Sequence, residues 1–319
     1  MFLGRYTTMD KIAIIDLGTN TFHLLIVEVK DGEEKIIHKE KIAVKLGEGG
    51  ISEGNISKAA EERAVKTMLY FKDKINEEQV EQIFASATSA MRNAGNGEEV
   101  MKQIYDATGI SINLISGMDE AKFIHMGVKK ALEIGSEPAL IMDIGGGSVE
   151  FIICNNIEVF WMQSFEIGAQ RLLDKFHKHD PILPKDIEKL DDFLRKELEE
   201  LKVKMDIYQP HHLIGSSGTF DTLIDINYEE KGIAKPDDVS FSISLEDFDH
   251  IFNEIIHKTK EERMAIPGMI EMRVDMIVVA VCLIQFLIEN NEFIDIKVST
   301  YALKEGLLDA ILSNEIKLS

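Results

Sequence analysis

Residues 12–27, IAIIDLGTNTFHLLIV, align without a gap on residues 139–154, ALIMDIGGGSVEFIIC. The alignment puts Asp16 on Asp143, Gly18 on Gly145, Thr21 on Ser148 and His23 on Glu150. Each copy is an apolar run, an aspartate, a turn of small residues and a second apolar run. That is the pattern of two strands joined by a tight hairpin. One such turn means little, because an aspartate often caps its own turn. Two copies at a single offset imply a duplicated fold with a carboxylate at the base of each turn. A carboxylate among Ile and Leu is costly to bury unless something pairs with it.

The turns suggest what that partner is. A tight hairpin tipped with small residues exposes consecutive backbone N–H groups that can cradle phosphate oxygens. Gly145, Gly146 and Gly147 let a ligand approach the main chain without side-chain interference. In the first copy Gly18, Thr19, Asn20 and Thr21 occupy the turn, and Thr19, Thr21 and Ser148 add hydroxyl donors. Asp16 and Asp143, with Glu150, could hold Mg²⁺ or another divalent cation such as Mn²⁺, directly or through water. Two such turns facing each other across a cleft would grip a chain of phosphates.

Around the first copy, strands are expected at about 11–17, 22–30 and 34–45. A helix follows through NISKAAEERAVKTMLYFKDKI, with Ala60, Ala64, Val65, Met68, Leu69 and Phe71 on its apolar face. QIFASAT and ISINLI read as further strands, each leading to a helix. The pattern restarts at Glu137-Pro138 with strands near 139–143, 148–153 and 157–164. Helices are then expected at about 168–176, 184–204, 217–226, 245–257, 269–289 and 300–313, with strands at HHLIG and FIDIKV. NYEEKGIAKPDDVS reads as a mobile surface loop. This alternation gives an α/β class, organised as an N-terminal domain over 1–125 and a C-terminal domain over 126–319. The last helix is placed to pack back on the first domain.

The net charge of −21 disfavours nucleic acid and anionic membrane as partners. Cys154 and Cys282 sit in apolar runs without metal-ligand spacing, as reduced thiols of a cytoplasmic protein do. Met276 to Ile288 is apolar but too short to span a bilayer, so a buried helix is expected. The opening MFLGRYTT reads as a leader, with Met9 as the natural start. The apolar C-terminal helices could support a homodimer.

The two hairpins resemble the phosphate-binding loops of the actin-like ATPase superfamily. More narrowly, IDLGTNTFHLLIVEV, FASATSAMRNAGNG, LISGMDEAKFIHMGV, IMDIGGGSVEFII and LIGSSGTFDTL resemble, in that order, the exopolyphosphatase / guanosine pentaphosphate phosphohydrolase family. The resemblance implies two actin-like (ribonuclease H-like) α/β domains flanking a central cleft. Length places the chain with the short, two-domain members. The implied activity is release of terminal phosphate from inorganic polyphosphate, or of the 5′ γ-phosphate from guanosine pentaphosphate.

Residue roles follow from that resemblance. Glu120 falls on the family's catalytic glutamate; an acid in a first helical turn also simply favours the helix dipole. Asp143 and Glu150 would hold the metal and orient water, although Glu150 on an alternating strand could equally face solvent. Arg92 would contact phosphate, against the alternative of a solvated arginine. Gly215, Ser216, Ser217, Gly218 and Thr219 form a strand–turn–helix unit whose N-terminus can bind an anion. Lys45, Arg171 and Arg273 are further anion contacts or ordinary surface charges, and His211-His212 reads as structural. Two other classes remain: an actin-like kinase or ATPase, and a non-catalytic sensor of alarmone or polyphosphate. No Gly-Lys pair occurs, which excludes a P-loop.

Overall fold

The computed structural model describes residues 10–316, so the expected leader and Met9 start lie outside the described residues. The chain divides into two compact units. One comprises the described parts of Met1–Ser116 and Leu307–Ser319, the other Gly117–Gly306.

In the first unit β1 (Asp10–Leu17), β2 (Thr21–Lys30) and β3 (Glu33–Ala43) form an antiparallel meander. After α1 (Lys58–Glu77), β4 (Gln82–Ala87) returns parallel to the other side of β1. Then come α2 (Ser89–Asn93), α3 (Gly97–Thr108) and β5 (Ile112–Leu114), giving the order β3-β2-β1-β4-β5. β1 is flanked on both edges and covered on both faces, so Ile12 to Ile15 are all 1% exposed or less. That double burial is why its sequence is a continuous apolar run rather than an alternating one. On α1, Ala60, Ala64, Met68 and Phe71 are buried as expected, whereas Leu69 is 43% exposed.

The second unit opens with α4 (Gly117–Ala131) and repeats the meander as β6 (Ala139–Ile144), β7 (Val149–Cys154) and β8 (Val159–Phe165). Next come α5 (Ala169–Phe176), α6 (Pro184–Glu197), α7 (Glu199–Tyr208) and β9 (His212–Ser216). They are followed by α8 (Ser217–Glu230), β10 (Ser240–Ile243), α9 (Leu245–His257) and α10 (Lys260–Met264). The chain ends with α11 (Met276–Glu289), β11 (Asp295–Ser299) and α12 (Leu303–Leu312). The sheet order is β10-β11-β9-β6-β7-β8, with β9 parallel to both β6 and β11. β6, β7, β8, β9 and β11 therefore repeat β1 to β5 in order and direction. The duplication seen in sequence is a duplication of topology, and the α/β class holds as two mixed sheets.

Three local differences have physical reasons. The helix expected over 184–204 is two helices, broken at Leu198 (φ −100°, ψ 19°). The break lets Leu190, Leu194, Leu198, Leu201 and Met205 all bury along one core face. The segment ahead of Met276 is turns rather than helix, with Gly268 in the left-handed region (φ 85°). β10 is a four-residue strand, too short for periodicity to reveal, and it forms by pairing antiparallel with β11. α11 is buried along nearly its whole length, and no helix among the described residues is long and apolar enough to cross a membrane.

Candidate active site

Asp143 lies one residue from the end of β6, a strand paired on both edges. In register it faces Glu150 on β7 and Ser216 on β9. The first unit repeats this, with Asp16 facing His23 on β2 and Ser86 on β4. The two copies diverge where carboxylate replaces imidazole.

Both carboxylates of the second copy are inside the protein, Asp143 at 5% exposure and Glu150 at 1%. The solvent-facing alternative for Glu150 therefore does not hold; Ser164 on β8 donates its hydroxyl to Glu150 Oε1 at 2.7 Å. Ser216 Oγ donates to Asp143 Oδ2 at 2.6 Å, and Ser217 Oγ reaches both Asp143 oxygens at 2.7 and 2.8 Å. Burial raises the Asp143 pKa above the ordinary carboxylate range. The two seryl donors and the charges of Lys304 and Arg273 act in the opposite direction.

Three peptide planes of the glycine loop have a defined orientation. Ala169 N donates to Gly145 O (2.9 Å), Gln170 N to Gly146 O (2.9 Å) and Gly168 N to Gly147 O (3.1 Å). The first N–H groups of α5, which lack partners inside the helix, thus bind the loop's carbonyls. In a trans peptide the C=O and the following N–H point in opposite directions. Turning these three carbonyls toward α5 aims the N–H groups of Gly146, Gly147 and Ser148 away from it. In the first unit Gly47 N donates to Thr19 O (2.9 Å), while Lys45 N and Val44 N donate to Asn20 O (2.8 and 3.0 Å). The same reasoning aims the N–H groups of Asn20 and Thr21 outward. Lys45 serves here through its backbone, which sits at φ 49°.

Ser217 opens α8 with φ 71°, a conformation uncommon for a residue bearing a Cβ. One residue on, a Cβ at Gly218 would overlap the Arg273 guanidinium, so glycine makes room for that side chain against the helix start. Arg273 is 9% exposed; burial lowers its basicity, opposed by the charges of Asp221 and Asp143. Lys304, whose side chain is 11% exposed, pairs with Glu305 at 3.0 Å and acts electrostatically on Asp143. Lys304 was not singled out from sequence. In ALKEGLL it reads as one of two opposite surface charges, and only its burial gives it away.

Glu120 lies in the first turn of α4 at 7% exposure, and α4 packs against β7 and β8, the strands of Glu150 and Ser164. Thr219 follows Gly218 on α8 at 2% exposure. A Cβ at Gly215 would overlap the Phe220 ring, so that glycine is required by packing. Arg92, on α2, donates from one terminal guanidinium nitrogen to Ile115 O at 3.1 Å. His212 Nδ1 lies 2.7 Å from Asp295 Oδ1, linking β9 to β11.

The chain is similar to known proteins along almost its whole length. The model of the Ppx/GppA phosphatase family matches residues 25–315. The crystal structure of an exopolyphosphatase from Cytophaga hutchinsonii matches with a TM-score of 0.93 and 41% identity, over 97% of this chain and 100% of that one. The Aquifex aeolicus member of the Ppx/GppA family matches with a TM-score of 0.79 and 25% identity, over 97% of this chain and 100% of that one. Exopolyphosphatase 1 of Mycobacterium tuberculosis is 26% identical over 307 residues, 96% of this chain and 89% of that protein. Actin-like domains duplicated around aspartate–glycine hairpins, a match running from residue 25 to residue 315, and structural agreement across almost the whole chain lead to one conclusion: this chain belongs to the Ppx/GppA phosphatase family.

Proposed function

We propose that this protein releases terminal phosphate from inorganic polyphosphate by in-line attack of water, assisted by Mg²⁺ or a similar divalent cation. One observation carries the reading: the outward N–H groups of Gly146, Gly147 and Ser148 adjoin two buried carboxylates that face each other in register. The amides suit phosphate oxygens. The carboxylates would repel phosphate unless a cation stood between them.

Asp143 and Glu150 fit such a cation. They are hard oxygen donors, and they face each other in register on adjacent strands. Two carboxylates leave positions for water and phosphate oxygens, which is how Mg²⁺ is commonly held at phosphate sites. When bound, the cation would draw charge from the phosphate oxygens it touches.

The chain's own residues do the remaining work. Ser164, Ser216 and Ser217 fix the two carboxylates in orientation. The loop amides bind phosphate oxygens and place the terminal phosphorus. Glu120 takes a proton from water as oxygen bonds to phosphorus and the phosphoanhydride bond breaks. Charge spreads over the equatorial oxygens in such transfers, so positioning and electrostatics dominate catalysis. Arg273 and Lys304 supply positive charge beside Asp143. The net charge of −21 gives no long-range attraction for a polyanion, so capture should depend on divalent cation.

The exopolyphosphatase names of the Cytophaga and Mycobacterium relatives support this substrate class. The test is phosphate release from polyphosphates of defined length and from guanosine pentaphosphate, with Mg²⁺ supplied. Orthophosphate released one unit at a time from polyphosphate is the expected result. Faster release from the nucleotide would make guanosine pentaphosphate the substrate, and no release from either would contradict the reading.

A further inference from the structure

Arg171, on the first turns of α5, directs its guanidinium toward the back of the glycine loop. Its Nε donates to Gly147 O at 2.8 Å, and a terminal nitrogen reaches Glu166 Oε2 at 3.2 Å. Gly147 O also accepts from Gly168 N, so both lone pairs of this one carbonyl are occupied. The N–H of the same peptide belongs to Ser148, and it is one of the three aimed outward.

We infer that Arg171 is a positioning residue for the phosphate loop: it holds the Gly147–Ser148 peptide so that the Ser148 N–H faces the substrate. The inference rests on the reading of the loop as a phosphate site, and three observations carry it. First, a planar fork binds a carbonyl and a carboxylate at once, which a single ammonium cannot reproduce. Second, the loop cannot retreat: a Cβ at Gly168 would overlap the backbone of Gly146 and Gly147, so α5 and the loop are already at closest approach. Third, the first unit contains a related brace, placed one layer further back. Arg63 on α1 donates to Val44 O (2.7 Å) and Lys45 O (2.8 Å), and pairs with Glu48 at 3.2 Å. The segment it braces supplies the N–H groups that bind Thr19 O and Asn20 O. Each hairpin is thus backed by the chain that follows its third strand, with an arginine tied to a glutamate of that same segment. A cation on the carbonyl also polarises the peptide, which strengthens the N–H on its far side.

The experiment compares wild type with Arg171→Lys and Arg171→Met, measuring steady-state turnover on polyphosphate and loop exchange, the hydrogen exchange of the Gly168, Ala169 and Gln170 amides that bond the loop carbonyls. If Arg171 positions the loop, both variants lose about 100-fold in kcat/KM, the scale of a small misplacement of binding groups. The Gly168, Ala169 and Gln170 amides exchange faster while the α11 core stays protected. A lysine variant with wild-type turnover would show that the fork is not needed, overturning the inference. Unchanged loop exchange would overturn it too. Should neither variant fold, Glu166→Ala removes the acceptor at one end of the fork, on an exposed side chain. Faster loop exchange there supports the brace, and unchanged exchange contradicts it. If wild type releases no phosphate, the functional reading fails, while exchange still decides whether the brace exists.

Discussion

Ser217 reaches Asp143 from a backbone that side chains seldom adopt: at φ 71° its hydroxyl lies 2.7 Å from Oδ2 and 2.8 Å from Oδ1. A strained residue persists where its surroundings over-determine it, and such strain gathers at functional sites. The strain and the hydroxyl are separable by substitution. Ser217→Gly relieves the backbone and Ser217→Ala does not, yet both remove the donor. We expect both to lower turnover on polyphosphate by about tenfold or more, through a loosened Asp143. Thermal unfolding should separate them, with the glycine variant the more stable by about 1 kcal/mol. Full activity in the alanine variant would remove this hydroxyl from the mechanism.

The two thiols should be silent in the folded protein. Burial pushes the pKa of Cys154 and of Cys282 up to about 12, and their side chains are 0% and 2% exposed. The thiolate is the reactive form. At pH 8 a thiol-titrating reagent should find no fast-reacting group in the native state and two after denaturation. A fast native thiol would show that one of these cores opens.

Glu230, at the end of α8, gives a pH dependence with a definite sign. Burial and then a hydrogen bond with Glu254 of α9 raise its pKa from the ordinary 4.5 to about 6. His250 Nε2 lies 3.7 Å from Glu230 Oε2, and Lys258 pairs with Glu254. Burial works to raise Glu254 as well, but bonds from Lys258 and Glu230 hold it below the usual range. A raised carboxyl favours the fold while neutral. Its contribution is complete below about 4.5 and is lost as pH rises through about 6. Glu254 has the opposite sense, contributing above its unfolded value and losing that as pH falls. Glu230→Gln keeps the neutral form at every pH. It should therefore stabilise at pH 8 by about 0.5 kcal/mol once solvent screening is allowed for, and bring no gain near pH 4.5. Thermal unfolding at the two pH values checks this; a lower midpoint for the variant at pH 8 would contradict it.

The hairpins were legible because a repeat is a long-range statement written locally. Asp16 with His23, and Asp143 with Glu150, face each other across their turns as the alignment implies. What stayed hidden depends on which distant strand comes alongside. Ser216 bonds Asp143 only because β9 pairs parallel to β6 across a separation of 73 residues. Arg171 could have faced a phosphate or a carbonyl, and residue type cannot say which. The α6–α7 break carries no Gly or Pro to mark it; it answers to the core that both helices share. Burial, in the same way, separates Lys304 from an ordinary surface lysine.

In the proposed reaction a water proton passes to Glu120 while the rest of the second unit binds and positions the substrate. Glu120→Gln, with polyphosphate turnover and ligand affinity measured on the same preparation, is the decisive variant. The amide keeps the size of the side chain and loses the base. Turnover should fall by about 100-fold or more, within the range of general base catalysis, while affinity for polyphosphate changes little. Unchanged turnover would show that Glu120 is not the base.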